Sequence, residues 1–186
     1  MTYEEVKKKT LALIEEYNPD NTEMTDDPDI ATKFRDVANM VMFELARQKK
    51  IPAYVETPVT AGQRITFDDI KKLCGRTVYQ LGTVTGVHCD IKGNGTIIKV
   101  LENGTAEIDC FVYPERITVE NELGYEFELT PDVVEMMPYG IAADLLKSDV
   151  SAEYGSIYAT RYETMLQRLD PRSHMTSVYI EGGVNF

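Results

Sequence analysis

The sequence predicts an α+β fold: a helical bundle formed by N- and C-terminal helices, with a small antiparallel β-sandwich or barrel inserted between them. Three observations predict it. Apolar residues recur at helical spacing over residues 1–50 and again over 129–170. Between these stretches the period falls to two, in short segments rich in β-branched and aromatic residues. Asn94-Gly95 and Asn103-Gly104 sit among those segments and offer the positive φ that tight hairpin turns need.

The first helix starts at a capping box, Thr2 and Glu5, and places Val6, Thr10, Leu13, Ile14 and Tyr17 on one face. Asn18-Pro19 stops it. After the polar link DNTEMTDD, Asp27 is the N-cap of a second helix with Pro28 at its first position. Ile30, Phe34, Val37, Val41 and Leu45 form its stripe. The basic run RQKK that closes it reads as cations favoured by a helix C-terminus, not as a binding patch.

Pro52, Pro58 and Gly62 then read as a linker, and TFDDIKKLCG as a turn of helix. From about Arg76 the strand segments are TVYQLGTV, GVHCDI, TIIKVL, TAEIDCFVY, RITVE and YEFEL. Alternation puts Ile108, Cys110 and Val112 on one face, and Tyr125, Phe127 and Leu129 on another. Leu81, Ile97, Ile108, Val119 and Phe127 are the expected core of this lobe. Thr130-Pro131 restarts helix, and Pro138 predicts a kink or a fresh start. Tyr139–Lys147 and the joint SDVS follow. The last helix, capped by Asp149 or Ser151, carries Tyr154, Ile157, Tyr158, Tyr162, Met165, Leu166 and Leu169 to Asp170-Pro171.

The expected organisation is therefore residues 1–50 plus 129–170 as the bundle, 65–128 as the inserted β domain, and 171–186 as an extended tail. In the tail, Val178, Tyr179, Ile180, Val184 and Phe186 have too little local sequence to bury them, so they are candidates for binding a partner.

At 43% hydrophobic and 27% charged, the 186 residues have the composition of a soluble globular protein. A net charge of −12 argues against a broad nucleic-acid-binding face, which needs clustered cations. Cys74, Cys89 and Cys110 are an odd count without a CxxC pair, as expected of a reducing cytoplasm. No signal peptide is expected at the charge-alternating N-terminus, and no apolar run has the length of a membrane span.

Catalytic and metal-site patterns fare poorly. His88, Cys74, Cys89 and Cys110 lack the close pairing of a zinc site, and Cys89 and Cys110 fall where alternation expects small inward residues. Adjacent His88 and Cys89 point to opposite faces of a strand. GNGTIIK lacks the frame of a phosphate-binding loop and reads as a turn. Glu107 and Asp109 share a strand face as a hydrolase's carboxylates would, but solvated strand faces look the same. The expectation is a protein that is not an enzyme and takes no cofactor or metal. Tyr154, Tyr158 and Tyr162 share a helix face, which reads as packing before it reads as a carbohydrate platform; tyrosine's polar tip suits subunit interfaces better than deep cores, so they are the candidate subunit interface.

The order of LALIEEYNP, TDDPDIATKFRDVANMVMFELARQKKIP and YGIAADLLKSDVSAEYGSIYATRYETMLQRLD resembles the head–tail adaptor (connector) proteins of long-tailed bacteriophages and prophages. Most weight rests on Pro138-Tyr139-x-x-Ala142-x-x-Leu145-Leu146-x-x-Asp149, followed by Tyr162-Glu163-x-Met165-Leu166-x-Arg168-Leu169-Asp170. The resemblance covers the helical parts. It implies a virion protein made in the host cytoplasm that forms a ring, usually dodecameric, at the head–tail junction. Portal protein would lie above that ring and tail, terminator or stopper proteins below it. DNA would pass through the lumen without specific binding, helped by an acidic wall. Simple family members lack the β insertion. A different class fits the same sequence: a β-sandwich module that recognises a glycan or protein, carried on a helical stalk in the virion.

Overall fold

Thr2 caps the first helix reciprocally: the Glu5 N–H donates to its hydroxyl oxygen at 3.2 Å, and the Thr2 N–H donates to the Glu5 carboxylate at 2.9 Å. The computed structural model describes residues 1–148 and 152–169. Helix α1 is Tyr3–Leu13. It ends short of Tyr17 because Glu15 takes a φ of 63°, which no α-helix continues through. Helix α2, Pro28–Lys49, starts where Asp27 accepts from the N–H groups of Asp29 and Ile30. Helix α4 (Pro131–Val134) and helix α5 (Met137–Leu145) are separate, so Pro138 marks a fresh start. A 3₁₀ turn, Leu146–Ser148, precedes helix α6, Ala152–Leu169.

Helices α1, α2 and α6 all pack against α5, which joins the N-terminal and C-terminal helices in one bundle. Its centre is fully buried Val6, Leu11, Phe34, Met42, Leu45, Met137 and Ile141. The expected bundle is present.

The inserted lobe holds two three-stranded antiparallel sheets. Strand β1 (Ile51–Val59) pairs with β6 (Gly104–Val112), which pairs in turn with β3 (Val78–Thr85). Strand β2 (Arg64–Thr66) pairs with β5 (Ile97–Val100), and β5 with β4 (Cys89–Lys92). Helix α3, Phe67–Cys74, packs on β1, β2 and β3 and buries Ile70 completely. Thr66 and Asp69 form its capping box, and Gly75 ends it in the left-handed conformation at φ 72°. Val55, Ile65, Ile98, Val100, Ala106, Ile108, Cys110 and Val112 make a second core, separate from the bundle's.

Four expectations need correction. The stretch read as a linker is strand β1, with Pro52 and Pro58 on it. Proline is tolerated because β1 lies at a sheet edge, where alternate N–H groups have no ladder partner. The lobe's strands therefore run from Ile51 to Val112 instead of over 65–128.

RITVE and YEFEL are not lobe strands. Residues 113–129 return to the bundle, where Ile117, Tyr125, Phe127 and Leu129 join the helical core. Glu126 makes only an isolated bridge to Thr2. Val119, expected to be buried, is 64% exposed. Alternation marks an extended chain with one covered face, but does not say which layer covers it.

Ile108 is fully buried in the lobe as expected, whereas Leu81 and Ile97 are only half-buried. In β5 the inward residues are Ile98 and Val100, the other alternating set in an apolar run that fits either. Irregular register in β3 on both sides of Leu81 removes the strict period there.

Asn94 and Gly95 do turn the β4–β5 hairpin at φ 55° and 88°. Asn103-Gly104 does not make a hairpin, because β5 and β6 belong to different sheets. Asn103 instead accepts the Ala61 N–H at 2.8 Å and ties the lobe's loops together.

Candidate interaction surface

Helix α6 is amphipathic, yet its own bundle covers it incompletely. Gly155 and Tyr162 are its buried residues, while Tyr158, Ala159, Met165, Leu166 and Leu169 stay half-buried. Gly155 is required for the approach: a Cβ there would sit 3.2 Å from the Leu146 Cβ. Gly140 on α5 plays the same part for the Tyr162 ring, 3.0 Å from where its Cβ would be.

The three tyrosines of the proposed interface face three environments. Tyr162 is buried, and its hydroxyl donates to the Glu44 carboxylate on α2 at 3.0 Å. Burial first, and the Glu44 charge second, push its ionisation well above the usual tyrosine range. Tyr158 is half-buried, and its hydroxyl donates to the Leu13 carbonyl at the end of α1. Both serve the chain's own packing. Tyr154 is 64% exposed and stands beside Ile157, itself 58% exposed. Ile157 is the member of this surface that a search for tyrosines passes over.

At about 100° per residue, Tyr154, Ile157, Arg161 and Arg168 form one flank of α6. Arg161 is held there by its guanidinium, 4.4 Å from the centre of the Tyr139 ring. The other flank borders a groove of about 400 Å³ between α2, α5 and α6. Gly140, Ala143, Ser156 and Ala159 keep the groove open, and Glu44, Asp144 and Glu163 supply carboxylates against the single cation Lys147. Val178, Tyr179, Ile180, Val184 and Phe186, the candidate partner-binding residues of the tail, lie outside the described residues.

On the lobe, the outward face of β1 and β6 sets Tyr54 opposite Asp109 and Glu56 opposite Glu107. Thr83 and Thr85 on β3 donate their hydroxyls to Asp109 and Glu107, so these carboxylates are tied into the sheet and exposed. Tyr54 is 56% exposed among them.

Cys110 is buried, and desolvation, with Cys74 as a lesser neighbour, pushes its thiol up to about 11, the reverse of an activated nucleophile. His88 is exposed and bonds Glu102. Among the described residues no group of His, Cys, Asp or Glu is arranged to hold a metal ion. Nor is any described helix long and apolar enough to cross a membrane.

Where the lobe meets the bundle, the Tyr113 ring packs at a tilt against Phe43 and Tyr79, at centroid distances of 5.1 and 4.8 Å. Arg47 Nε donates to the Tyr113 hydroxyl at 2.6 Å, and the Tyr79 hydroxyl donates to the Ala46 carbonyl at 2.9 Å. The end of α2 is thus bound to the lobe by specific contacts. RQKK is a helix end, as its sequence implied, and Arg47 is part of the joint.

No protein-family model matches the chain, and no curated protein matches it either.

Proposed function

We propose that this protein is a head–tail adaptor, or connector: a virion structural subunit that assembles into a ring at the junction of portal and tail. The observation that carries the proposal is the outward flank of α6, where Tyr154 and Ile157 stay exposed although the bundle has closed its own core. A large apolar residue left wet on an ordered helix gains about 1.5–3 kcal/mol when a neighbour covers it. The sequence resemblance in the helical parts agrees with this reading. A net charge of −12 suits a lumen through which DNA slides without sticking.

The test is the mass of the purified protein, alone and mixed with its portal protein. A ring, or a stoichiometric complex on the portal, is expected. A chain that binds neither portal nor tail components ends the adaptor reading, even where it forms a ring. Removal of residues 175–186 is expected to leave the melting temperature unchanged and to abolish incorporation into particles.

Tyr54, exposed on a sheet face and flanked by Glu56, Glu107 and Asp109, favours a second reading. In it the lobe is a binding module for a glycan or a protein. Binding by the full chain that is lost in Tyr54→Ala, while assembly is kept, would identify that activity.

A further inference from the structure

We infer that the Tyr154–Ile157–Arg161–Arg168 flank of α6 seats in the α2–α5–α6 groove of a second copy of this chain. The inference rests on the ring reading and names the contact that would build it.

Three features of the two surfaces argue for this occupant. The first is charge. The flank presents Arg161 and Arg168 beside its apolar pair, and the groove presents Glu44, Asp144 and Glu163 against Lys147 alone. Opposite charges steer such surfaces together and fix their register. In a chain of net charge −12, most other faces of a second copy would be repelled by that groove.

The second feature is shape. Small residues on α5 and α6 leave a channel open to large side chains such as Tyr154 and Ile157. Bulky apolar anchors entering a small-residue pocket, with arginine at the edge, match the composition of interface centres.

The third is direction. With 3.6 residues per turn, Ser156, Ala159 and Glu163 lie on the side of α6 roughly opposite Tyr154, Ile157 and Arg161. One helix therefore offers the flank on one side and borders the groove on the other. A contact between unlike surfaces on opposite sides propagates from copy to copy, and closes into a ring when its rotation permits.

Two charge reversals test this. Arg161 and Glu163 are both exposed, so E163R is expected to keep the wild-type melting temperature and R161E, which gives up the contact with Tyr139, to lower it by only a few degrees while staying folded at assay temperature. Each variant alone is expected to lose self-association by about tenfold or more in Kd. Mixed, they retain one good pairing, the flank of E163R with the groove of R161E, and are expected to stop at a heterodimer. The double variant R161E/E163R is expected to regain higher assembly.

A photo-crosslinker at position 157, in a mixture of isotopically light and heavy chains, reports the same contact directly. Crosslinks between copies to residues 41–44, 140–147 or 156–166 are expected, in solution or on the portal. An assembly whose crosslinks fall elsewhere, or that ignores both reversals, overturns this contact and leaves the adaptor reading standing. Assembly through the groove without portal binding keeps the contact and removes the adaptor reading. A chain that is monomeric both alone and beside the portal overturns both.

Discussion

Tyr162 on α6 donates its hydroxyl to Glu44 on α2 at 3.0 Å, while its ring closes over Gly140 on α5. One side chain thereby ties three helices from the two ends of the chain. The helical spacing of Tyr158 and Tyr162 is explained by this internal work.

The consequence for stability is direct. Tyr162→Phe keeps the ring and loses the hydrogen bond, at an expected cost of about 1 kcal/mol. Tyr162→Ala opens a cavity and is expected to cost about 3–5 kcal/mol. Gly140→Ala adds a methyl group 3.0 Å from both the Tyr162 ring and the Val41 Cγ1. Overpacking of that kind is expected to cost about 1–3 kcal/mol. Urea midpoints of the three variants check the order Phe, then Gly140→Ala, then Ala; equal midpoints would remove Tyr162 from the centre of the bundle.

Among the described residues Asn39 is the one buried carboxamide of the bundle, 2% exposed on α2. Its Nδ2 donates to the Ile117 carbonyl at 2.9 Å, and its Oδ1 accepts the Ile117 N–H at 2.9 Å. The returning segment 113–129 has no sheet to pair with at this point, so Asn39 stands in for a strand. Asn39→Leu strands a buried N–H and a buried carbonyl, each costing about 1–3 kcal/mol. Asn39→Asp keeps the acceptor but sets a buried carboxylate oxygen against the Ile117 carbonyl, so at neutral pH it is expected to unfold at least as early as Asn39→Leu and to recover as acid protonates it.

That segment also shows what the sequence could and could not tell. The caps at Thr2 and Asp27, the restart at Pro138 and the inward face Ile108–Cys110–Val112 are legible because each depends on near neighbours. Strand β1 is not legible because its two prolines mimic a linker, and only the sheet's order shows that it is an edge. Period two carries no address, so it does not tell that Phe127 packs in the bundle or that Val119 is left exposed. The groove beside α6 was not legible either. It is made by residues of three helices, and no local pattern announces that Glu44 will meet Glu163 across a channel lined by glycine and alanine.

The lobe has its own core, so its weak points are separable from the bundle's. Ile108→Ala, at a fully buried position on the central strand β6, is expected to cost about 2–5 kcal/mol. Gly86 takes a φ of 82°, and a Cβ there would run into the Thr105 carbonyl oxygen of β6. Gly86→Ala is therefore strained both by its backbone and by its neighbour. Hydrogen exchange is the suitable measurement, since it separates local from global opening. Both variants are expected to lose protection over residues 51–112 before residues 28–49. Uniform loss along the chain would mean that lobe and bundle unfold as one.

Alkaline pH supplies the last prediction. Tyr162 ionises well above its ordinary value, chiefly through burial, and burial likewise pushes Tyr125 up to about 12. The folded state thus holds these phenol protons more tightly than the unfolded chain, whose tyrosines titrate near the usual value of about 10. Below that value both states are protonated and the contribution is complete. As the pH rises past it, the unfolded chain releases protons first, and stability falls until the folded phenols titrate too. Thermal unfolding between about pH 8 and pH 11 should show a declining melting temperature from about pH 10 upward. Lysines also titrate in this window, so the wild type alone does not isolate the tyrosine. Tyr162→Phe does: its melting temperature starts lower and is expected to decline less steeply, so that the two curves converge as the pH rises. Parallel curves would show that Tyr162 is as free to ionise in the folded protein as in the unfolded one, against the burial and the Glu44 contact described above.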